Sequence, residues 1–262
     1  MISTINHKSF LILLMSVLIN CQEKKQASQP NTLSKKDISS HSTKSTVDID
    51  KIKSIPVGFG DRYDRLPMLN FQETSEAEFN LLKSKEDFLI KHPVESKNGS
   101  FTLATDHKIF RLKEENATTI GNRDGESWYE YLGFYPSLNR YAVASNSASE
   151  SLGFSELELI SKTDGKIYTI VSPGDDRVEN PVPSPQAKYL AYYYNQVYDE
   201  NNSFIGIIEI NPDQKLFEYR SFTTEKFNVH QIAWSGDDVL FIKTSSDGGK
   251  SFKYYKSKIQ NR

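Results

Sequence analysis

Cysteine is all but missing from this chain: Cys21 stands alone among 262 residues. A single cysteine closes no disulfide within the chain and builds no cysteine-rich zinc site. Histidine is scarce as well, with five in the whole chain. His92, His107 and His230, those beyond residue 55, lack the His-Glu-x-x-His spacing that sets two imidazoles on one helix face. There is no Gly-x-Ser-x-Gly segment, which excludes a serine hydrolase of the nucleophile-elbow type. The apolar run FLILLMSVLI, Phe10 to Ile19, has ten residues, about half of what a membrane-spanning helix requires. Neither sign of charge prevails, with 32 Lys and Arg against 34 Asp and Glu.

The charge that is there divides unevenly. Residues 22–55 hold seven Lys and four acids, whereas residues 56–262 hold 24 basic residues against 30 acidic ones. An acidic domain with no basic stripe argues against a nucleic-acid partner. Aromatic residues are equally uneven: only Phe10 precedes residue 56. A segment of Ser, Lys, Thr and Gln without aromatics cannot bury enough apolar surface to offset the entropy of ordering. Residues 21–55 are therefore expected to be a flexible tether, and residues 56–262 the folded domain.

His7 and Lys8 before the short apolar run fit the opening of a secretory signal peptide over residues 1–20. The run ends in Leu18-Ile19-Asn20-Cys21, which resembles the lipobox of bacterial lipoproteins. That resemblance implies that Cys21 is acylated and becomes the first residue of the mature protein. The membrane is then a partner through the lipid, in the bacterial cell envelope. Gln22, in place of the Asp linked in some bacteria to inner-membrane retention, points to the outer membrane. An ordinary signal peptide and an uncleaved anchor are the alternatives.

In the folded part, Ser75 with Glu78 three residues on forms a capping box, which predicts one short helix around 76–86. The rest is strand and turn. A strand, an Asp-x-Lys turn and a strand opening on an aromatic recur at Asp106, Asp164, Asp213 and Asp247, the last with an extra glycine. A second pattern, a strand ending in Ser, a polar turn and an apolar strand, recurs at Ser137, Ser184 and Ser235. Units of about 45 residues with four antiparallel strands are propeller blades, which bury their faces by stacking on one another. The segment SPQAKYLAYYY resembles the Ser-Pro-Asp-Gly-Lys-Tyr-Leu-Ala pattern of TolB-like and WD-type propeller repeats. In this chain Gln186-Ala187 replaces Asp-Gly, so that turn is expected to close differently. The expected fold is all-β with one short N-terminal helix: blade-like four-stranded antiparallel sheets in a small or incomplete β-propeller.

The stretch SSDGGKSF, Ser245 to Phe252, poses a choice between a phosphate loop and a hairpin. A Walker loop needs a glycine where Thr244 stands, and a helix after the lysine. Asp247-Gly248-Gly249 between two β-rich segments instead suits a hairpin, because glycine accepts the positive φ of tight turns. The stretch resembles the Asp-box of propeller blades, in which the Asp caps the turn and the aromatic packs beneath it.

For a binding surface the densest candidate is Tyr192, Tyr193 and Tyr194 with Tyr198 beyond them. Tyrosine joins an apolar body to a polar tip and serves packing and ligand surfaces alike. No catalytic set, metal site or cofactor motif can be assembled from the sequence. The expected function is a non-enzymatic interaction module that binds a protein or an envelope component. The alternative is a carbohydrate-active, sialidase-like hydrolase, suggested by the Asp-box and by Arg65-Leu66-Pro67.

Overall fold

The first strand among the described residues begins at Ser45, and alternation between buried and exposed positions marks the strands of the first sheet, β4 (Ser100–Ala104) above all. The computed structural model describes residues 44–59, 65–82, 88–115, 124–198 and 201–259. Cys21, the signal peptide and most of the tether lie outside these residues. The described part is mostly β, in four sheets.

The first sheet joins β1 (Ser45–Asp48), β5 (Lys108–Lys113) and β4 (Ser100–Ala104), in that order. The second joins β6 (Ser127–Tyr135), β7 (Arg140–Ser149), β8 (Leu152–Ser161) and β9 (Ile167–Val171) as a meander, with β2 (Ile55–Gly58) beside β9. The third is the meander β10 (Val182–Pro183), β11 (Tyr189–Asn195), β12 (Ser203–Ile210) and β13 (Leu216–Thr224). The fourth runs β14 (Asn228–Ser235), β15 (Val239–Ser245), β16 (Lys253–Lys258) and then β3 (Gln72–Thr74).

Three apolar layers join neighbouring sheets. Phe101, Leu103, Phe110 and Leu112 of the first sheet meet Val143, Ile160 and Ile167 of the second. Leu157, Leu159 and Ile170 of the second meet Leu190, Tyr192 and Ile208 of the third. Tyr189, Ile205 and Ile207 of the third meet Ile232, Trp234, Leu240 and Ile242 of the fourth. Strands of the inner sheets are therefore buried on both faces, which is why β11 and β12 read as nearly continuous apolar runs. The outer sheets end the stack in different ways. On the first sheet Thr102, Arg111 and Lys113 face solvent between buried neighbours. On the fourth, α1 (Glu76–Leu81) lays Phe79 over Ala233, Phe241 and Tyr254. Stacked repeats need such ends to remain soluble. The helix begins as expected, with the Ser75 side chain accepting from the Glu78 N–H at 3.1 Å, and its last helical residue is Leu81.

The N-terminal segment departs most from expectation. Residues 45–59 and 65–74 form a strap that pairs with one edge of every sheet in turn. β1 runs parallel to β5, β2 parallel to β9, and Met68 makes a parallel bridge to Ser221 on β13. β3 then pairs antiparallel with β16. The fourth sheet has only three strands from the C-terminal part of the chain, and β3 fills the slot that β9 and β13 fill in the sheets before it. The folded region thus reaches into the expected tether: residues 45–51 are ordered against the first sheet, and Ile49 is 2% exposed among Phe101 and Phe110. One buried isoleucine and a row of backbone hydrogen bonds suffice where composition alone predicts a coil.

The repeated turns fall at hairpins. Asp106 lies between β4 and β5, Asp164 between β8 and β9, Asp213 between β12 and β13, and Asp247 between β15 and β16. The first three precede the strand that the strap pairs with in parallel. Asp247 instead joins the second and third strands of its sheet, because the strap supplies the fourth. The Gln186-Ala187 turn closes with Ala187 at φ of 54°, in the left-handed region, and with the Ser184 hydroxyl accepting from the Lys188 and Tyr189 N–H groups.

If the strap is part of the fold, Ile49→Ala destabilises the protein by about 2–4 kcal/mol, the usual cost of emptying a buried aliphatic site. Thr46→Ala on its exposed side stays within about 0.5 kcal/mol of wild type. Urea unfolding of the two variants checks this; equal stability would make the strap a tether.

Candidate functional site

Of the tyrosines expected to form a binding surface, Tyr192 and Tyr194 do not. Both are buried and point from β11 into the layer between the second and third sheets. The space for their rings comes from glycines. A Cβ on Gly206, the partner of Tyr192 across β12, would sit 2.3 Å from the Tyr192 ring, and one on Gly174 would sit 2.2 Å from the Tyr194 hydroxyl. Tyr193 points the other way, half-buried, and its hydroxyl donates to the His230 carbonyl at 3.4 Å. Only Tyr198, 90% exposed in the β11–β12 connection, is surface. The four residues share no site.

The turn aspartates also part company. Asp247 caps its hairpin fully: one carboxylate oxygen accepts from the N–H groups of Lys250 and Ser251 at 3.0 and 2.9 Å. The other accepts from the Ser251 hydroxyl at 2.6 Å. The Ser245 hydroxyl donates to Asp247 at 2.7 Å and accepts from the Gly249 N–H at 2.8 Å. Bonds from the Ser251 hydroxyl, the Ser251 N–H and the Ser245 hydroxyl hold the Asp247 carboxyl well below the usual carboxylate range. Gly248 and Gly249 have φ of 69° and 86°, so the stretch is a hairpin between two strands and not a phosphate loop. Asp164 caps more weakly. Partial burial works against its charge, but bonds from Lys166 and Ser161 hold its carboxyl down to about 2. At the other two turns the cap is a neighbour. The Thr105 hydroxyl, not Asp106, accepts from the Lys108 N–H at 3.1 Å, and Asn211, not Asp213, accepts from the Lys215 N–H at 2.7 Å. Of the four aspartates, Asp164 and Asp247 hold their turns through the side chain, and Asp106 and Asp213 only stand in theirs.

Two clefts lie along the strap, one where it passes from the second sheet to the third and one where it passes from the third to the fourth. Between the second and third sheets is an open cleft of about 1440 Å³. Ile55, Pro56 and Leu66 of the strap line one side, and Leu216 and Phe217 of β13 the other. Phe217 is 47% exposed and, with the exposed Ile55 across the cleft, makes an apolar pair in one concavity. Between the third and fourth sheets is a second cleft of about 1060 Å³. Its wall is an aromatic strip. The rings of Phe71 and Phe222 lie 5.0 Å apart, and those of Phe222, Phe227 and Tyr255 follow as near-parallel pairs at 6.5 and 5.4 Å.

Two buried ionisable groups stand outside both clefts. Arg140, 2% exposed, reaches from β7 to the Gln214 carbonyl and lies 5.0 Å over the Tyr168 ring, tying the second sheet to the third. Glu158 on β8 faces the first sheet. Burial above all, with the Glu156 and Asp50 carboxylates nearby, pushes its carboxyl up to about 7. Asp50 itself accepts from the Tyr129 hydroxyl at 2.7 Å, which pins the strap to the second sheet. Among the described residues no group of three or more His, Cys, Asp or Glu is arranged to hold a metal. Arg65, the arginine of the hydrolase alternative, is exposed in the strap.

The clefts were not legible in the sequence. Their walls come from the strap, β13, the β13–β14 connection and β16, which no spacing rule relates. The exposed Phe217, on the polar-facing side of an otherwise alternating strand, was the nearest available signal.

Three substitutions test the hairpin. Lys250→Ala changes stability by no more than about 0.5 kcal/mol. Gly249→Val costs more than about 1 kcal/mol, because a β-branched residue fits poorly at positive φ. Asp247→Ala lowers the melting temperature more than Lys250→Ala does. Added ATP and magnesium shift none of the melts; a shift that vanished with Lys250→Ala would restore the phosphate loop.

Glu158 sets a pH dependence. Its raised value means that the folded state binds a proton that the unfolded chain releases near pH 4.5. Its share of stability is therefore lost as pH rises from about 4.5 through about 7. Urea unfolding at pH 5 and pH 8 should show Glu158→Gln gaining on wild type at the higher pH; equal differences at both would place Glu158 in a solvated setting.

No protein-family model, curated protein or solved structure matches this chain.

Proposed function

We propose that this chain is a lipid-anchored, non-enzymatic interaction module of the bacterial cell envelope, held at the outer membrane through Cys21. The anchor rests on the sequence: a short apolar run, a Leu-Ile-Asn-Cys segment and a sole cysteine. The module rests on the stack of sheets, a rigid scaffold whose inner strands are committed to packing. The observation that carries the binding role is the cleft between the second and third sheets. It sets Phe217, Ile55 and Pro56 open to solvent, with Lys188, Glu209 and Gln186 around them. Apolar side chains in a concavity with a mixed polar rim form the kind of surface on which protein partners place their anchoring residues. A protein segment is thus the partner class that this cleft fits.

Two measurements test the two halves. Cells grown with a fatty-acid probe should label the wild-type protein and leave Cys21→Ala unlabelled; equal label on both would remove the anchor. Full-length protein used as bait in solubilised envelope should retain a protein partner that Phe217→Asp loses. Phe217 is exposed, so the variant is expected to fold, which a thermal melt confirms. Equal retention by the variant would remove the cleft from the function.

A further inference from the structure

The cleft between the third and fourth sheets differs in chemistry from the one beside Phe217. Its aromatic strip is half-buried: Phe71, Phe222 and Tyr255 keep part of their surface open, and Phe227 lies beneath. The rim is crowded with polar groups. Thr223, Ser246 and Asn70 are exposed along it, and the cleft also takes in Lys226 and Lys253 from its two sides. The hairpin capped by Asp247 closes one end with Ser245 and Ser251. The hairpin's tight bonding thus has a consequence beyond its own fold, because it fixes the wall of a cleft.

Open aromatic surface within reach of hydroxyl and amide groups matches a molecule that is itself amphipathic at that scale. A pyranose ring presents C–H groups on its faces and hydroxyls around its edge. The faces cover aromatic surface, and the hydroxyls exchange water for Thr, Ser and Asn partners. A nucleic acid could stack on the rings, but its dense phosphates call for many cations. The lining offers Lys226 and Lys253 and also the carboxylate of Glu225. Two lysines suit scattered carboxylates.

We propose that this cleft binds a glycan chain whose sugars carry carboxylates at intervals, with the rings held on Phe71, Phe222 and Tyr255 and the carboxylates by Lys226 and Lys253. The site is separate from the cleft beside Phe217, so either can fail alone.

The probe is a hyaluronan octasaccharide, which alternates a uronic acid with an N-acetylated sugar, titrated calorimetrically into the full chain. Chitohexaose serves as the uncharged counterpart and a thymidine oligonucleotide as the phosphate counterpart. Wild type should bind the octasaccharide, and chitohexaose at least tenfold more weakly. The double variant Lys226→Glu, Lys253→Glu changes only exposed side chains and should lose at least tenfold for the octasaccharide. Tyr255→Ala should weaken binding by a similar factor and Tyr255→Phe should restore it, with a thermal melt confirming that both are folded. Phe217→Asp should leave the affinity unchanged. Absence of octasaccharide binding, affinity unmoved by both the lysine pair and Tyr255→Ala, or tighter binding of the oligonucleotide would each overturn the proposal. None of these results bears on retention of a protein partner through Phe217.

Discussion

The strap is the constraint on which the rest of the structure depends. It pairs Ser45 with Lys108, Ile55 with Tyr168, Met68 with Ser221 and Glu73 with Tyr255. Each step joins residues farther apart in the chain than the step before. It lies parallel to the final strand of the first three sheets and, in the fourth, takes the final strand's place. The sheets therefore come in a set order, and the last is incomplete until the beginning of the chain has been laid against it. Loops this long carry a closure entropy that the strap's own few pairings share with the apolar layers between the sheets.

The same strap makes the clefts. Where it lies flat against a sheet edge, as at β1 and β2, it satisfies the exposed N–H and C=O groups of that edge. Two of its three passages between sheets, from the second to the third and from the third to the fourth, are bordered by clefts. These two differ in what lines them. Leu66 and Phe217 make the crossing from the second to the third sheet apolar, and the rings and hydroxyls of the next make it amphipathic. Binding surface here is a by-product of how the sheets are tied together, which loops carried on a rigid scaffold commonly provide.

Burial sorts the polar side chains by role. Asp247 and Asp164 are ionised and spend their oxygens on turn N–H groups. Glu158 is held close to neutrality between two sheets, and Arg140 keeps its charge there with a carbonyl and a ring for company. The first two fix hairpins and the last two adjust how the sheets are joined. That division explains why the most conspicuous acidic motif in the sequence, the Asp-box-like stretch, shapes a cleft wall.

The amino-acid sequence by itself determined the local structure. Alternation, glycines at positive φ, the Ser75 cap and the Asp-x-Lys turns are interactions among residues a few positions apart, and they appear where the sequence places them. The all-β, blade-like organisation was visible as well, because repeated turns require repeated hairpins, but the number of sheets was not. What only the tertiary structure decided depends on partners far away in the chain. Nothing within STVDIDK marks it as an edge strand, since its partner β5 begins some sixty residues later. Nothing in YLAYYY says whether Tyr192 faces a ligand or a core, because Gly206 and Gly174 settle that from other segments. The clefts belong to the same class: a concavity is a relation between surfaces, and no stretch of sequence contains both of its walls.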